Sequence, residues 1–116
     1  MSNTLLTDNE NSEIDETYEL EDTQFVWNSK KNKMNYQKHG ITFEEAATVL
    51  VDEDTEYLED IKHSKYEERF IAIGFSANEG MLTVCHCFRD ADLVIRIFSA
   101  RRATKPERNK YESMKM

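Results

Sequence analysis

The chain has 116 residues, 39% of them hydrophobic, and a formal net charge of -8. This length allows one domain with one modest core. No apolar run approaches the roughly 18 residues that span a bilayer, and the start Met1-Ser2-Asn3-Thr4 lacks the basic-then-apolar order of a signal peptide, which predicts a cytoplasmic protein that does not engage membranes.

The net charge is unevenly placed. Residues 1–24 hold eight acids and no Lys or Arg, so the remaining 15 acids and 15 bases cancel. Such a segment, with only scattered apolar residues, reads as a disordered acidic extension, and residues 25–116 read as the folded domain. Within that neutral body the signs are segregated. Lysines 30, 31, 33 and 38 come first, an acidic stretch runs from Glu44 to Asp60, and an Arg/Lys-rich segment ends the chain. Segregation of this kind concerns partners rather than fold.

Taken in order, Phe25-Val26-Trp27 predicts a short strand. Asn28 is a suitable N-cap for a helix over 29–39, and Gly40 a suitable left-handed residue after it. Thr42-Phe43-Glu44-Glu45 fits a capping box that opens a second helix, with Phe43, Ala46, Val49 and Leu50 as its buried stripe. Glu56 to Leu58 is a weak strand. Residues 68–75, 81–88 and 93–99 read as three further strands separated by turn signals at 77–80 and 89–92. Thr104-Lys105-Pro106-Glu107 is a second capping box and begins a last helix that ends near Ser113. The predicted order β-α-α-β-β-β-β-α implies an α+β layer fold with an antiparallel sheet packed by helices.

Cys85 and Cys87 flank His86. In a strand the two thiols share a face, poorly placed for a mutual disulfide, and His86 points the other way, which leaves ordinary reduced thiols. If the last hairpin pairs residue 86 with residue 96, His86 and Arg96 become neighbours; a slip of one residue separates them.

The chain lacks a metal-binding motif, a Walker loop, a nucleophile elbow and a GxGxxG turn, and it has only three glycines. No cofactor is predicted. The remaining option is metal-free chemistry on RNA, whose own 2′-hydroxyl can attack the phosphate when a base takes its proton and cations stabilise the charge. Lys38, His39, Glu67, His86 and Tyr111 have side chains suited to proton transfer or contact. Arg96, Arg101, Arg102, Lys105 and Arg108 form the cationic candidates, because guanidinium forks match phosphate oxygens. Tyr111 could stack on a base. Two bland readings stand beside these. Lys38-His39 suits the negative end of a helix dipole, and the basic tail suits a solvated surface paired with the acidic middle.

Several blocks resemble the BrnT family. They are Phe25-Val26-Trp27-Asn28, the run Lys38-His39-Gly40 to Ala46, the run Glu68-Arg69-Phe70 to Gly74, the run Ile95-Arg96-Ile97 to Ala103, and Glu107-Arg108-Asn109-Lys110-Tyr111-Glu112. The resemblance covers residues 25–113 in order. It implies a RelE-like fold and a toxin of a type II toxin–antitoxin system. It further implies a metal-independent ribonuclease that arrests translation and is neutralised by a BrnA-type antitoxin in a hetero-oligomer. That antitoxin would carry the DNA-binding domain, so DNA would be met only through it. Lys38, His39, Arg69, Arg96, Arg101, Arg102 and Arg108 fall within the family blocks. From these, Arg96, Arg101 and Arg102 are expected to hold the scissile phosphate, with Lys38 or His39 moving a proton. Arg69, Lys105, Arg108 and Tyr111 are expected to bind substrate. A non-catalytic module that only binds an antitoxin or nucleic acid is the rival expectation. The acidic extension lies outside these blocks; it is expected to be a passive solubilising tail, with folding back over the cationic patch to weaken RNA binding as the alternative.

Overall fold

The computed structural model describes residues 14–116. Residues 1–13, and with them much of the predicted disordered extension, lie outside the described residues. Residues 15–24 contradict that prediction. They supply β1 (Asp15–Leu20) and the start of β2 (Thr23–Asn28), joined antiparallel. The connecting residues Glu21 and Asp22 have φ of 49° and 63°. Positive φ at both central residues is the twist-compatible hairpin turn, normally signalled by Asn-Gly or Asp-Gly. Two acidic residues without glycine hide that signal. Alternation along β1 directs Glu16, Tyr18 and Leu20 toward the core and Asp15, Thr17 and Glu19 away from it. Tyr18 packs 5.5 Å from the Trp27 ring, and Trp27 Nε1 donates to Glu16 at 2.8 Å.

Helix α1 (Ser29–His39) and helix α2 (Phe43–Leu50) follow as predicted. Asn28 Oδ1 accepts from Lys31 N at 2.9 Å. Gly40 ends α1 at φ 74°, a conformation that lacks steric cost without a Cβ. Thr42 caps α2 by accepting from Glu45 N, but the reciprocal half of the predicted capping box is absent. Glu45 reaches across instead to the turn at Asn78, accepting from its backbone N at 2.5 Å.

The remaining elements are β3 (Glu56–Glu59), β4 (Phe70–Phe75), β5 (Met81–Arg89), β6 (Val94–Arg102) and helix α3 (Lys105–Met114). The six strands form one sheet in the order β1-β2-β6-β5-β4-β3. Every pairing is antiparallel except β2 with β6, which is parallel over Gln24–Val26 against Val94–Arg96. The sheet is therefore mixed rather than purely antiparallel. Helices α1 and α2 bury Phe43, Ala46 and Val49 against Phe25, Trp27, Val84 and Ala100 on one face. Helix α3 covers one end of the opposite face, where Tyr111 meets Phe75 edge-on at 5.9 Å. Among the described residues no other α-helix covers that face, which the loop after β3 shields in part.

Two departures from regular pairing position the site. First, β6 extends to Arg102, three residues past its predicted end, so Arg101 and Arg102 are strand residues pointing to opposite faces. Second, the β5–β6 register shifts between Cys85 and His86: Cys85 faces Ser99, whereas His86 faces Ile97. Phe98 is the extra, bulged residue. The shift sets Arg96 opposite Cys87, so the predicted His86–Arg96 contact does not form; the two side chains lie on opposite faces. His86 is wholly buried among Tyr57, Phe70 and Phe88. Cys85 and Cys87 are both free thiols.

Candidate functional site

Beyond β3, the chain makes a single turn of 3₁₀ helix at Ile61–His63. Such a turn has three residues per revolution, so residues i and i+3 stand in line. Asp60 precedes the turn and His63 ends it, and Nδ1 of His63 lies 2.9 and 3.1 Å from the two Asp60 carboxylate oxygens. The loop is clipped shut at its base. Asp60 N donates to Arg69 O at 2.8 Å, Arg69 N donates to the Ser64 hydroxyl, and that hydroxyl donates to Asp60 O at 2.6 Å. This closure holds Asp60 buried while His63 stays more than half exposed.

The His63–Asp60 pair faces a cleft of about 360 Å³ on the open face of the sheet. Ser99 and Arg101 of β6, Thr83 and Cys85 of β5, Ile71 of β4 and Lys62 complete its walls. Burial would raise the Asp60 carboxyl, but hydrogen bonds from Cys85 and His63, and the imidazole charge, together hold it below the usual carboxylate range. Cys85 is the converse. Burial, the hydrogen bond it donates to Asp60 and the Asp60 charge push the thiol up to about 11, so it is a neutral donor and not a nucleophile. With Asp60 accepting at Nδ1, the imidazole presents Nε2 as its basic nitrogen.

The arginines occupy carboxylate cradles. Arg101 donates through two nitrogens to Glu107 at 2.8 and 2.7 Å, and Arg96 does the same to Asp15 at 3.0 and 3.0 Å. The Arg101 hydrogen bond outweighs burial and lowers the Glu107 carboxyl to about 2. Arg102 pairs with Glu79 and donates to His39 O at 3.3 Å. Arg69 lies flat on the Phe98 ring, 3.7 Å from its centre, with Nε buried and without a hydrogen-bond partner among the described residues. A guanidinium has five N–H donors. At Arg101 the contacts to Glu107 and to Arg102 O leave donors for a further anion.

The predicted site residues do not converge as expected. Arg96 and Arg101 share the open face, whereas Arg102 belongs to the opposite one, so the three cannot grip one phosphate. Lys38 and His39 reach β6, but in a neighbouring crevice lined also by Phe98 and Ser99. Tyr111 is buried and donates from its hydroxyl to Asp54 O at 3.3 Å, so it packs α3 and cannot stack on a base. Arg108 donates to Ala103 O at 2.9 Å and braces the strand–helix junction, and Lys105 is exposed, without an ion pair among the described residues. Glu67 serves Arg89 at 2.8 Å. Sequence reasoning missed Asp60, Lys62, His63 and Ser99. The signal available was the i, i+3 spacing of Asp60 and His63, which has meaning only once a helical turn is known there.

Among the described residues no three His, Cys, Asp or Glu side chains are grouped so that they could hold a metal ion, and no helix is long and apolar enough to cross a membrane. The mixed sheet and its three helices define a small RelE-like α+β protein. Residues 27–107 match the family model described as the ribonuclease toxin BrnT of type II toxin–antitoxin systems, and the chain belongs to that family. Membership implies a cognate antitoxin as partner. A comparison with curated proteins found no match.

Proposed function

We propose that the chain is a metal-independent endoribonuclease whose reaction runs in the His63–Arg101 cleft. The observation that carries this reading is the presence in one cleft of an oriented imidazole, a guanidinium with spare donors and Lys62, which has no ion pair among the described residues. His63 Nε2 takes the proton from a 2′-hydroxyl. The freed oxygen bonds to the adjacent phosphorus, and the bond from phosphorus to the 5′ oxygen breaks. The leaving oxygen takes a proton from solvent, which gives a 2′,3′-cyclic phosphate and a 5′-hydroxyl. Arg101 and Lys62 face the phosphoryl oxygens as charge builds on them. Asp60 is a positioning residue that fixes the imidazole.

In the cell this activity would arrest translation. A BrnA-type antitoxin with its own DNA-binding domain would neutralise it in a hetero-oligomer, and contact with DNA would be made through that antitoxin. Two substitutions test the site. His63→Ala should lower cleavage of single-stranded RNA by about 10²–10³-fold and relieve growth arrest, with the fold intact by circular dichroism. Asp60→Asn should also lower the rate and move the lower limb of its pH profile. Wild-type cleavage in His63→Ala would refute the assignment.

A further inference from the structure

Helix α1 carries Lys31, Met34, Asn35 and Lys38 along one face, at the i, i+3, i+4, i+7 spacing of a helical stripe. Together with His39, that stripe and Phe98 and Ser99 of β6 line a crevice of about 460 Å³. No acidic side chain lines it. The contrast with the arginines is sharp: Arg96, Arg101 and Arg102 each meet a carboxylate, whereas Lys31 and Lys38 have no ion pair among the described residues. The free positive charge of this region therefore stands on α1. The crevice also adjoins the His63 cleft, because Ser99 lines both. The bulge at Phe98 sets an aromatic ring at that junction, and bulges commonly re-aim side chains beside active sites.

We propose that this crevice is a second subsite for single-stranded RNA, which seats the nucleotide next to the scissile phosphate. The strand crosses β6 over Ser99, with its reacting phosphate at Arg101 and the neighbouring phosphates at Lys38 and Lys31 in turn. These two lysines are seven residues apart, about 10 Å along the helix, so they grip successive parts of a backbone and not a single group. Phe98 offers the wall of an apolar ring to the base. In this arrangement Lys38 and His39 bind substrate and do not transfer protons. The inference rests on the cleavage reading for the His63 cleft.

The test uses the full chain and the double substitution Lys31→Gln/Lys38→Gln. Binding of a fluorescent single-stranded RNA oligonucleotide is followed by anisotropy across a salt series. Cleavage of that oligonucleotide is compared with cleavage of a dinucleotide, which carries the scissile phosphate but no neighbouring phosphate for Lys31 and Lys38 to hold. Loss of two phosphate contacts on a single strand should reduce the slope of log K against log salt by about 1.4. KM for the oligonucleotide should rise several-fold, with turnover of the dinucleotide unchanged. A wild-type salt slope and KM in the double variant would overturn the subsite while leaving the catalytic reading intact. Wild-type protein that cleaves neither RNA would overturn the catalytic reading, and the subsite with it. Unchanged RNA binding with weakened capture of the antitoxin would make the crevice a protein-docking surface and also overturn the proposal.

Discussion

Replacing His86 with phenylalanine should flatten the dependence of stability on pH between about 4 and 6.5. The imidazole is wholly buried, its Nδ1 has only a long contact of 3.4 Å to Val84 O, and Nε2 has no partner among the described residues. Burial lowers its pKa from 6.5 to about 4. The unfolded chain therefore binds a proton that the folded chain refuses throughout that window, so stability falls as pH falls. Linkage with these two values gives a loss of about 2 kcal/mol between pH 7 and pH 5 from this one residue. The ring of phenylalanine fits the same aromatic surroundings, and removing the orphan nitrogen should add about 1 kcal/mol at pH 7. Urea denaturation of both proteins at pH 7, 6 and 5 reads the difference directly. An equal loss in wild type and His86→Phe would refute the reasoning. It would mean that His86 finds a proton partner on folding that the structure does not record.

Three further outcomes follow from the ion pairs and packing. Glu107→Gln should destabilise by about 2 kcal/mol at pH 7, allowing for screening at the half-exposed Arg101, and the deficit should close as pH falls from about 4.5 toward 2, where wild type loses the same contribution; thermal melts across that range check it. Gly74→Ala should cost about 1–3 kcal/mol by urea denaturation, because a Cβ there runs into Thr55 Oγ1 and stands 3.2 Å from Thr55 Cα; Thr55 cannot turn away without losing its 2.6 Å hydrogen bond to Val49 O. Asp15→Asn should change stability by only about 0.5 kcal/mol but tighten RNA binding severalfold at low salt, since Arg96 would lose its carboxylate; unchanged affinity would show that Arg96 lies off the RNA path.

The helices were legible because their ends carry local chemistry. Asn28, Gly40, Thr42 and the Thr104–Glu107 box each satisfy a backbone group within a few residues, and that signal survives without knowledge of the fold. β1 was not legible. Its composition is acidic, its turn lacks glycine, and its stability comes from Trp27 and Tyr18 meeting across the hairpin. The candidate site divided along the same line. Arg101 was one of several cationic candidates, and which face it took depended on how far β6 extends. His63 and Asp60 sit in a segment without apolar periodicity, so only the backbone turn brings them into line. The parallel pairing of β2 with β6 joins strands about seventy residues apart, a choice invisible to local pattern.

Asn35 has a consequence for how the sheet survives in company. β2 accompanies β6 only as far as Arg96, so the rest of β6 has an interior edge with no strand beside it among the described residues. Asn35 fills that gap from α1. Its side-chain amide donates to Ala100 O at 2.7 Å, and its oxygen accepts from Ala100 N at 3.1 Å, so one side chain copies the bonding of a missing strand. An open edge invites pairing with another chain. A helix side chain thus serves as a plug against strand addition at the centre of the fold, beside the residues assigned to RNA. The helix proposed to grip the substrate also keeps the sheet from recruiting its neighbours.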